Sequence, residues 1–139
     1  MHLAHHLRLA LGRVARRLRR LYVEAEGGPS FLELAVLQRL ERNGAGSPGS
    51  LASDEGVTSA AVATSLASLE VRKLVVRARD PADGRRVVVT ITPAGRNTLK
   101  HRDDACVAAM DAALKAFSPA ERDVLAAAVP LLEKLAGAL

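Results

Sequence analysis

A mainly α-helical chain with one small β-hairpin is what the sequence predicts, and three observations predict it. Val75 to Arg79 and Val87 to Ile91 are runs rich in β-branched residues, which pack well on a pleated surface. Between them, Asp80-Pro81-Ala82-Asp83-Gly84-Arg85 is a dense cluster of turn formers. The apolar stripes elsewhere recur at spacings of three and four, the helical period. Two short helices joined by a tight turn precede the hairpin. A helix pair followed by a basic hairpin is the layout of a winged helix-turn-helix.

The first helix is predicted over residues 3 to about 26, with Leu7, Leu11, Val14, Leu18 and Leu21 on one stripe and a stop at Gly27-Gly28-Pro29. The second opens at Ser30, which forms a capping box with Glu33. Its apolar face is Phe31, Leu34, Leu37 and Leu40, and Asn43-Gly44-Ala45-Gly46 stops it. Ser47-Pro48 starts a third helix, cap followed by proline, which runs to about Glu55. Gly56-Val57 makes the turn, and Thr58 caps a fourth helix that turns Val62, Leu66 and Leu69 inward. After the hairpin, Thr92-Pro93 starts a fifth helix to about Phe117. Ser118 and Glu121 form a further capping box, and Leu125, Val129, Leu132, Leu135 and Leu139 make the last stripe. Pro130 is expected to kink that helix, because it removes one backbone bond.

At 139 residues the chain is one domain or one protomer of an oligomer. Aromatics are 2% of the residues (Tyr22, Phe31, Phe117), so the core is aliphatic. With no Trp there is no indole platform for single-stranded nucleic acid. The formal net charge of +5 favours a polyanionic partner. A single cysteine, Cys106, excludes an internal disulfide and fits a reducing cytosol; it reads as a small apolar side chain inside the fifth helix. No run of about 18 apolar residues predicts a membrane span, and the arginines of the first helix do not read as a signal peptide. These features point to a cytoplasmic protein. No catalytic constellation, glycine-rich phosphate loop or cofactor motif emerges, so neither an enzyme nor a cofactor is expected.

In order, Asp83-Gly84-Arg85, Val87-Val88-Val89 and Ile91-Thr92-Pro93-Ala94-Gly95 resemble the signature of the MarR family of bacterial transcriptional regulators. The resemblance extends to Leu51-Ala52 and to the stretch from Leu69-Glu70 to Leu74-Val75. With the flanking helices it spans nearly the whole chain. It implies a single domain over 1–139: a winged helix-turn-helix DNA-binding lobe at 30–92, with dimerisation helices at 3–26 and 93–139. It also implies a repressor acting as a homodimer on double-stranded DNA and responding to a small anionic aromatic effector. The residues agree on one point, since apolar stripes at both chain ends need a cover that a symmetric dimer provides. Two-fold symmetry then predicts a pseudo-palindromic operator with half-sites about one helical turn apart.

The fourth helix is the expected recognition helix, presenting Thr58, Ser59, Ala60, Ala63, Thr64 and Ser68. Family members often place a long polar residue near Thr64; none stands here. Bidentate base readout is therefore absent from this helix, and phosphates, the wing and DNA shape carry more of the binding. Arg85 at the hairpin tip suits a narrow minor groove because its charge is fixed, and Arg86 follows it. By resemblance, Asp83 holds Arg85 in an ion pair. Lys73 stands where the family commonly has glycine, so a left-handed cap there carries a cost. Arg77 is expected to brace the wing. Arg17, Tyr22 and Phe31 are the expected effector-lining residues.

Arg16-Arg17-Leu18-Arg19-Arg20 reads as the solvated face of an amphipathic helix, with a nucleic-acid patch as the other reading. His2, His5 and His6 share a helical face, which leaves a metal-dependent sensor as one alternative, although no metal site is expected. The small recognition helix motivates another: a dimeric interaction module that has lost specific DNA binding.

Overall fold

A computed structural model describes residues 2–23 and 28–139. The elements in order are α1 (Leu3–Val23), α2 (Phe31–Asn43), α3 (Pro48–Glu55), α4 (Ser59–Val71), β1 (Val75–Arg79), β2 (Val87–Ile91), α5 (Pro93–Leu114) and α6 (Pro119–Ala138). The fold is mainly helical with one antiparallel hairpin, as expected. The end of the first helix expected at residues 24–27 lies outside the described residues. The chain divides into two compact units, Met1–Ala105 and Cys106–Leu139.

The first unit is organised by an aliphatic core. Leu34, Val36, Leu37 and Leu40 of α2 meet Leu51 and Ala52 of α3, Val62, Leu66 and Leu69 of α4, and Leu74, Val75, Val89 and Ile91 of the hairpin. Burying one such side chain contributes roughly 1.5–3 kcal/mol. This cluster joins three helices and the hairpin into one body. Phe31, expected on the buried face of α2, is 42% exposed instead. It sits in the first turn, and the Arg19 guanidinium covers its ring at 4.0 Å.

Caps set most boundaries. Ser30, Thr58 and Ser118 each accept a bond from the backbone N–H three residues on, as their residue types require. The Ser118–Glu121 box is reciprocal. The box expected at Ser30 is half made, because Glu33 instead accepts the Ser68 hydroxyl at 3.4 Å and so ties α2 to α4. Ser47 forms a reciprocal box with Ser50. α5 stops at Leu114, three residues before the expected Phe117. There Ala116 and Phe117 donate to carbonyls only three residues back, tightening the chain into a turn before the Ser118 cap. α6 runs through Pro130 as a single element.

α4 ends in a Schellman turn. Lys73 N–H donates to the Glu70 carbonyl and Leu74 N–H to that of Leu69, both at 2.9 Å, while Lys73 takes a φ of 59°. The left-handed position expected to tax a lysine is therefore occupied by one. Leu69 and Leu74, both in the core, supply the apolar contact that accompanies this motif.

The Thr-Pro-x-Gly start of α5 now has a physical reason. Thr92 Oγ1 accepts from Gly95 N–H at 3.0 Å and donates to the Lys73 carbonyl at 2.8 Å, so one hydroxyl caps α5 and pins the end of α4. Thr92 N–H donates to the Leu74 carbonyl. Gly95 lies directly against that carbonyl, and a Cβ there would also meet Ile91 Cγ1 at 2.6 Å. A bridge between Gly46 and Val89, with bonds of 3.0 and 2.7 Å, extends the hairpin pairing to the loop before α3.

In Gly95→Ala the added methyl group meets the Leu74 carbonyl, backbone that cannot swing aside as a flexible side chain would. It is expected to lower unfolding stability by about 1–3 kcal/mol in urea titrations, the range for overpacking. A wild-type midpoint in the variant would contradict this packing.

Candidate nucleic-acid interface

α3 and α4 are joined at Gly56, whose φ of 63° turns the chain sharply enough for two helices to follow one another. α4 buries Val62, Ser65, Leu66 and Leu69, and this fixes which residues face outward. Ser59, Ala60, Ala63, Thr64 and Ala67 are exposed, while Ser68 is half-buried. The hydroxyls on this face are partly engaged within the protein. Thr58 caps the helix through Ala61 N–H, Thr64 Oγ1 donates to the Ala60 carbonyl, and Ser68 donates to Glu33. What remains outward is short and rich in methyl groups. Such a surface admits close approach to base edges and contact with thymine methyls, and offers no bidentate reader.

The hairpin pairs Val75 with Ile91, Arg77 with Val89 and Arg79 with Val87. Val75, Val89 and Ile91 are buried in the core and anchor its base, while the tip projects into solvent. The tip is organised by its own carboxylates. Asp80 Oδ1 accepts from Ala82 N–H, and Asp83 Oδ1 accepts from Arg85 N–H at 3.1 Å. Asp83 therefore holds the backbone of Arg85 rather than its guanidinium, which differs from the expected ion pair. At two residues' separation in a tight turn, the backbone N–H is the nearer donor. Arg86 N–H donates to the Asp83 carbonyl, and Asp80 N–H to that of Arg86 at 2.8 Å, closing the loop. Arg85 and Arg86 are both exposed, and no ion pair among the described residues uses either.

Three side chains that brace this surface have partners that the sequence does not reveal. Arg79 donates to the Gly84 carbonyl at 2.9 Å and supports the tip. Arg77 pairs with Glu70 at 2.6 Å, tying the wing to the end of α4. Arg39 pairs with Asp54 at 2.6 Å, tying α2 to α3. The bracing role read for Arg77 thus has a partner seven residues away, on a different element.

On another face of the same unit, a cavity of about 450 Å³ is lined by Tyr22, Gln38, Glu41, Arg42, Arg96, Leu99, Lys100 and Asp103. That volume suits a small ligand. Arg96 and Glu41 form an ion pair at 2.8 Å, linking α5 to α2. Asp104 bonds Lys100 at 2.8 Å and holds its ammonium above the ordinary lysine value. Of the expected effector residues, Tyr22 lines this cavity. Arg17 is exposed on α1 outside the lining, and Phe31 lies under Arg19. His2, His5 and His6 are exposed at the start of α1, with the His5 and His6 rings edge to face at 6.2 Å. Among the described residues no group of three His, Cys, Asp or Glu side chains is arranged to hold a metal. No helix among them is long and apolar enough to cross a membrane.

A buried helix pair, an outward second helix and an anchored hairpin with a basic tip define the winged helix-turn-helix class. A MarR family model matches residues 31–87, from α2 to the start of β2. An HTH-type transcriptional regulator of Mycobacterium bovis is 33% identical over 130 residues, covering 94% of this chain and 90% of the relative. A crystal structure of a transcriptional regulator from Pseudomonas aeruginosa superposes with a TM-score of 0.85 at 34% identity, covering 97% of this chain and 93% of that one. BpsR of Bordetella bronchiseptica, whose DNA binding is regulated by 6-hydroxynicotinic acid, superposes with a TM-score of 0.64 at 27% identity over 97% of this chain and 99% of its own. The chain belongs to the MarR family and is a transcriptional regulator of that type, not an enzyme.

The Glu70–Arg77 pair is partly exposed, so its contribution to stability is small. Glu70→Gln and Arg77→Gln are each expected to cost no more than about 1 kcal/mol, with a coupling of about 0.2–1 kcal/mol in a double-mutant cycle. Strict additivity of the two changes would show that the pair does not tie α4 to the wing.

Proposed function

We propose that this protein is a homodimeric, ligand-responsive repressor in the bacterial cytoplasm that binds a pseudo-palindromic operator. The observation that carries this reading is the pairing of an outward α4 with a braced, arginine-tipped wing in one compact unit. α4, with Thr58, Ser59, Ala60, Thr64 and Ser68, enters the major groove. Arg85 reaches the flanking minor groove, with Asp83 shaping the tip and Arg86 beside it. Since α4 has no bidentate reader, affinity rests on phosphate and wing contacts and on DNA shape.

A second copy of the chain completes the molecule. α1 and α6 contain no buried residue, although both carry apolar stripes. Leu11 and Val14 on α1, and Leu125, Val129 and Leu132 on α6, are exposed in the single chain. Apolar surface of this extent favours association. The effector is a small anionic molecule held in the 450 Å³ cavity, where Tyr22 offers a ring and Arg42 positive charge, beside the Arg96–Glu41 and Lys100–Asp104 pairs. The regulated DNA binding of BpsR supports this assignment.

The test is a gel shift on DNA upstream of the protein's own gene, with excess competitor. A discrete, competitor-resistant complex is expected. Arg85→Ala is expected to weaken it and to reduce the slope of log K against log salt by about one unit for each phosphate that Arg85 neutralises. A smear that competitor abolishes equally for both proteins would contradict specific binding. It would favour the second reading, an interaction module of the same fold, which the methyl-rich face of α4 suggests.

A further inference from the structure

The formal charge of +5 is not where the wing reading puts it. The winged lobe, residues 30–92, holds eight Lys and Arg against seven Asp and Glu, so it is nearly neutral. Several of its cations are engaged: Arg39 with Asp54, Arg77 with Glu70 and Arg79 with the Gly84 carbonyl. α1 by contrast holds six arginines and no carboxylate. It alone accounts for more than the net charge of the whole chain.

The placement of these arginines is as uneven as their number. Arg13, Arg16, Arg17 and Arg20 stand at spacings of three, four and seven, which puts them on one face of α1. They occupy an arc of about 100° beside the stripe of Leu7, Leu11, Val14, Leu18 and Leu21, with Arg16 opposite the stripe and Arg17 next to Leu21. All four arginines are exposed, and none of the ion pairs among the described residues uses them. Arg19, on the flank, is the arginine engaged with Phe31. The next carboxylates in the chain, Glu24 and Glu26, lie outside the described residues.

An ordinary solvated face mixes the two signs, because like charges three and four apart destabilise a helix. Here four arginines stand as such like-charged neighbours with no acid between them. Each such pair carries a small cost, which an anionic surface against the face removes. The four residues span about 10 Å of helix axis, over which a strand of DNA presents about three phosphates.

We propose that the Arg13, Arg16, Arg17 and Arg20 face of α1 is a second, sequence-independent contact to the phosphate backbone of DNA, outside the helix-turn-helix and the wing. It supplies the electrostatic attraction that the near-neutral winged lobe lacks. This rests on the DNA-binding reading above and extends it to an element outside the recognition lobe. Phosphate contacts position a protein without reading sequence, so the face raises affinity for operator and random DNA alike.

The experiment is a fluorescence-anisotropy titration of the full-length protein across a range of salt. The probes are two labelled duplexes, the DNA upstream of its own gene and a scrambled duplex of equal length. The native protein is compared with a variant carrying Arg13→Gln, Arg16→Gln, Arg17→Gln and Arg20→Gln, and with one carrying lysine at the same four positions. For the glutamine variant the log K against log salt slope is expected to become shallower by about 0.9 for each phosphate no longer neutralised. Affinity for both duplexes is expected to fall by the same factor, and the lysine variant to keep the native slope. If the fourfold variant loses its helical circular dichroism, Arg13→Gln with Arg17→Gln is read instead, with about half the change expected. A native slope in the folded glutamine variant, while Arg85→Ala still weakens binding, would overturn the α1 contact and leave the DNA-binding reading standing. That outcome would point to an acidic protein or membrane surface as the partner of this face. Failure of the native protein to bind either duplex would contradict both.

Discussion

The aliphatic core under α2, α3, α4 and the hairpin is the constraint on which everything else rests. A winged helix-turn-helix works only if the outward helix and the wing keep a fixed angle. Here Leu66 and Leu69 of α4 and Val75, Val89 and Ile91 of the hairpin are buried in a single cluster. With aromatics at 2% of the chain, that cluster is assembled from Leu, Val, Ile and Ala, whose fit depends on close packing rather than on large rings. The polar ties are arranged around it. The Schellman turn at Lys73, the Thr92 hydroxyl and the bare Cα of Gly95 converge on one stretch of backbone, Lys73 to Leu74. That stretch links the end of the recognition helix to the first strand of the wing and to the start of α5.

Outside this core the chain is built differently. α1 and α6 bury no residue, and α5 buries only Gly95. α5 and α6 open at the Thr92 and Ser118 caps, and apolar side chains of α1 and α6 are exposed in the single chain. The division of labour matches the proposed mechanism. In that mechanism the winged lobe presents the DNA-facing surface, while the terminal helices join two copies of the chain and respond to a ligand.

Much of this was legible in the sequence, and the limits are physical. Both strands and the helix starts at Ser30, Ser47, Thr58 and Ser118 follow from local chemistry: β-branched runs, turn formers and cap residues act within three or four positions. The inward set Val62, Leu66 and Leu69 follows from period alone. Long-range polar choices were not legible. Glu33 chose Ser68, 35 residues away, over completing its own capping box. Arg77 met Glu70, Arg39 met Asp54 and Arg96 met Glu41 because folding brought them together, and no periodicity encodes such pairs. Gly46 looked like a plain helix stop, yet its backbone pairs with Val89. Ser50 completed a box in which Glu or Gln is the usual partner, so the signature was missed. At the candidate site, the small character of α4 was plain from sequence. The use of Asp83 on backbone, and the support of Arg79, required the loop geometry.

In the proposed complex, one rigid lobe per protomer places α4 in a major groove and the wing tip in the neighbouring minor groove, with two lobes related by two-fold symmetry. The decisive experiment is a hydroxyl-radical footprint on the DNA upstream of the protein's own gene. Two symmetric protected blocks about one helical turn apart are expected. Each would be flanked on its outer side by a protected minor groove, and Arg85→Ala would abolish that flanking protection. A single block without symmetry, or a flank indifferent to Arg85, would contradict this arrangement.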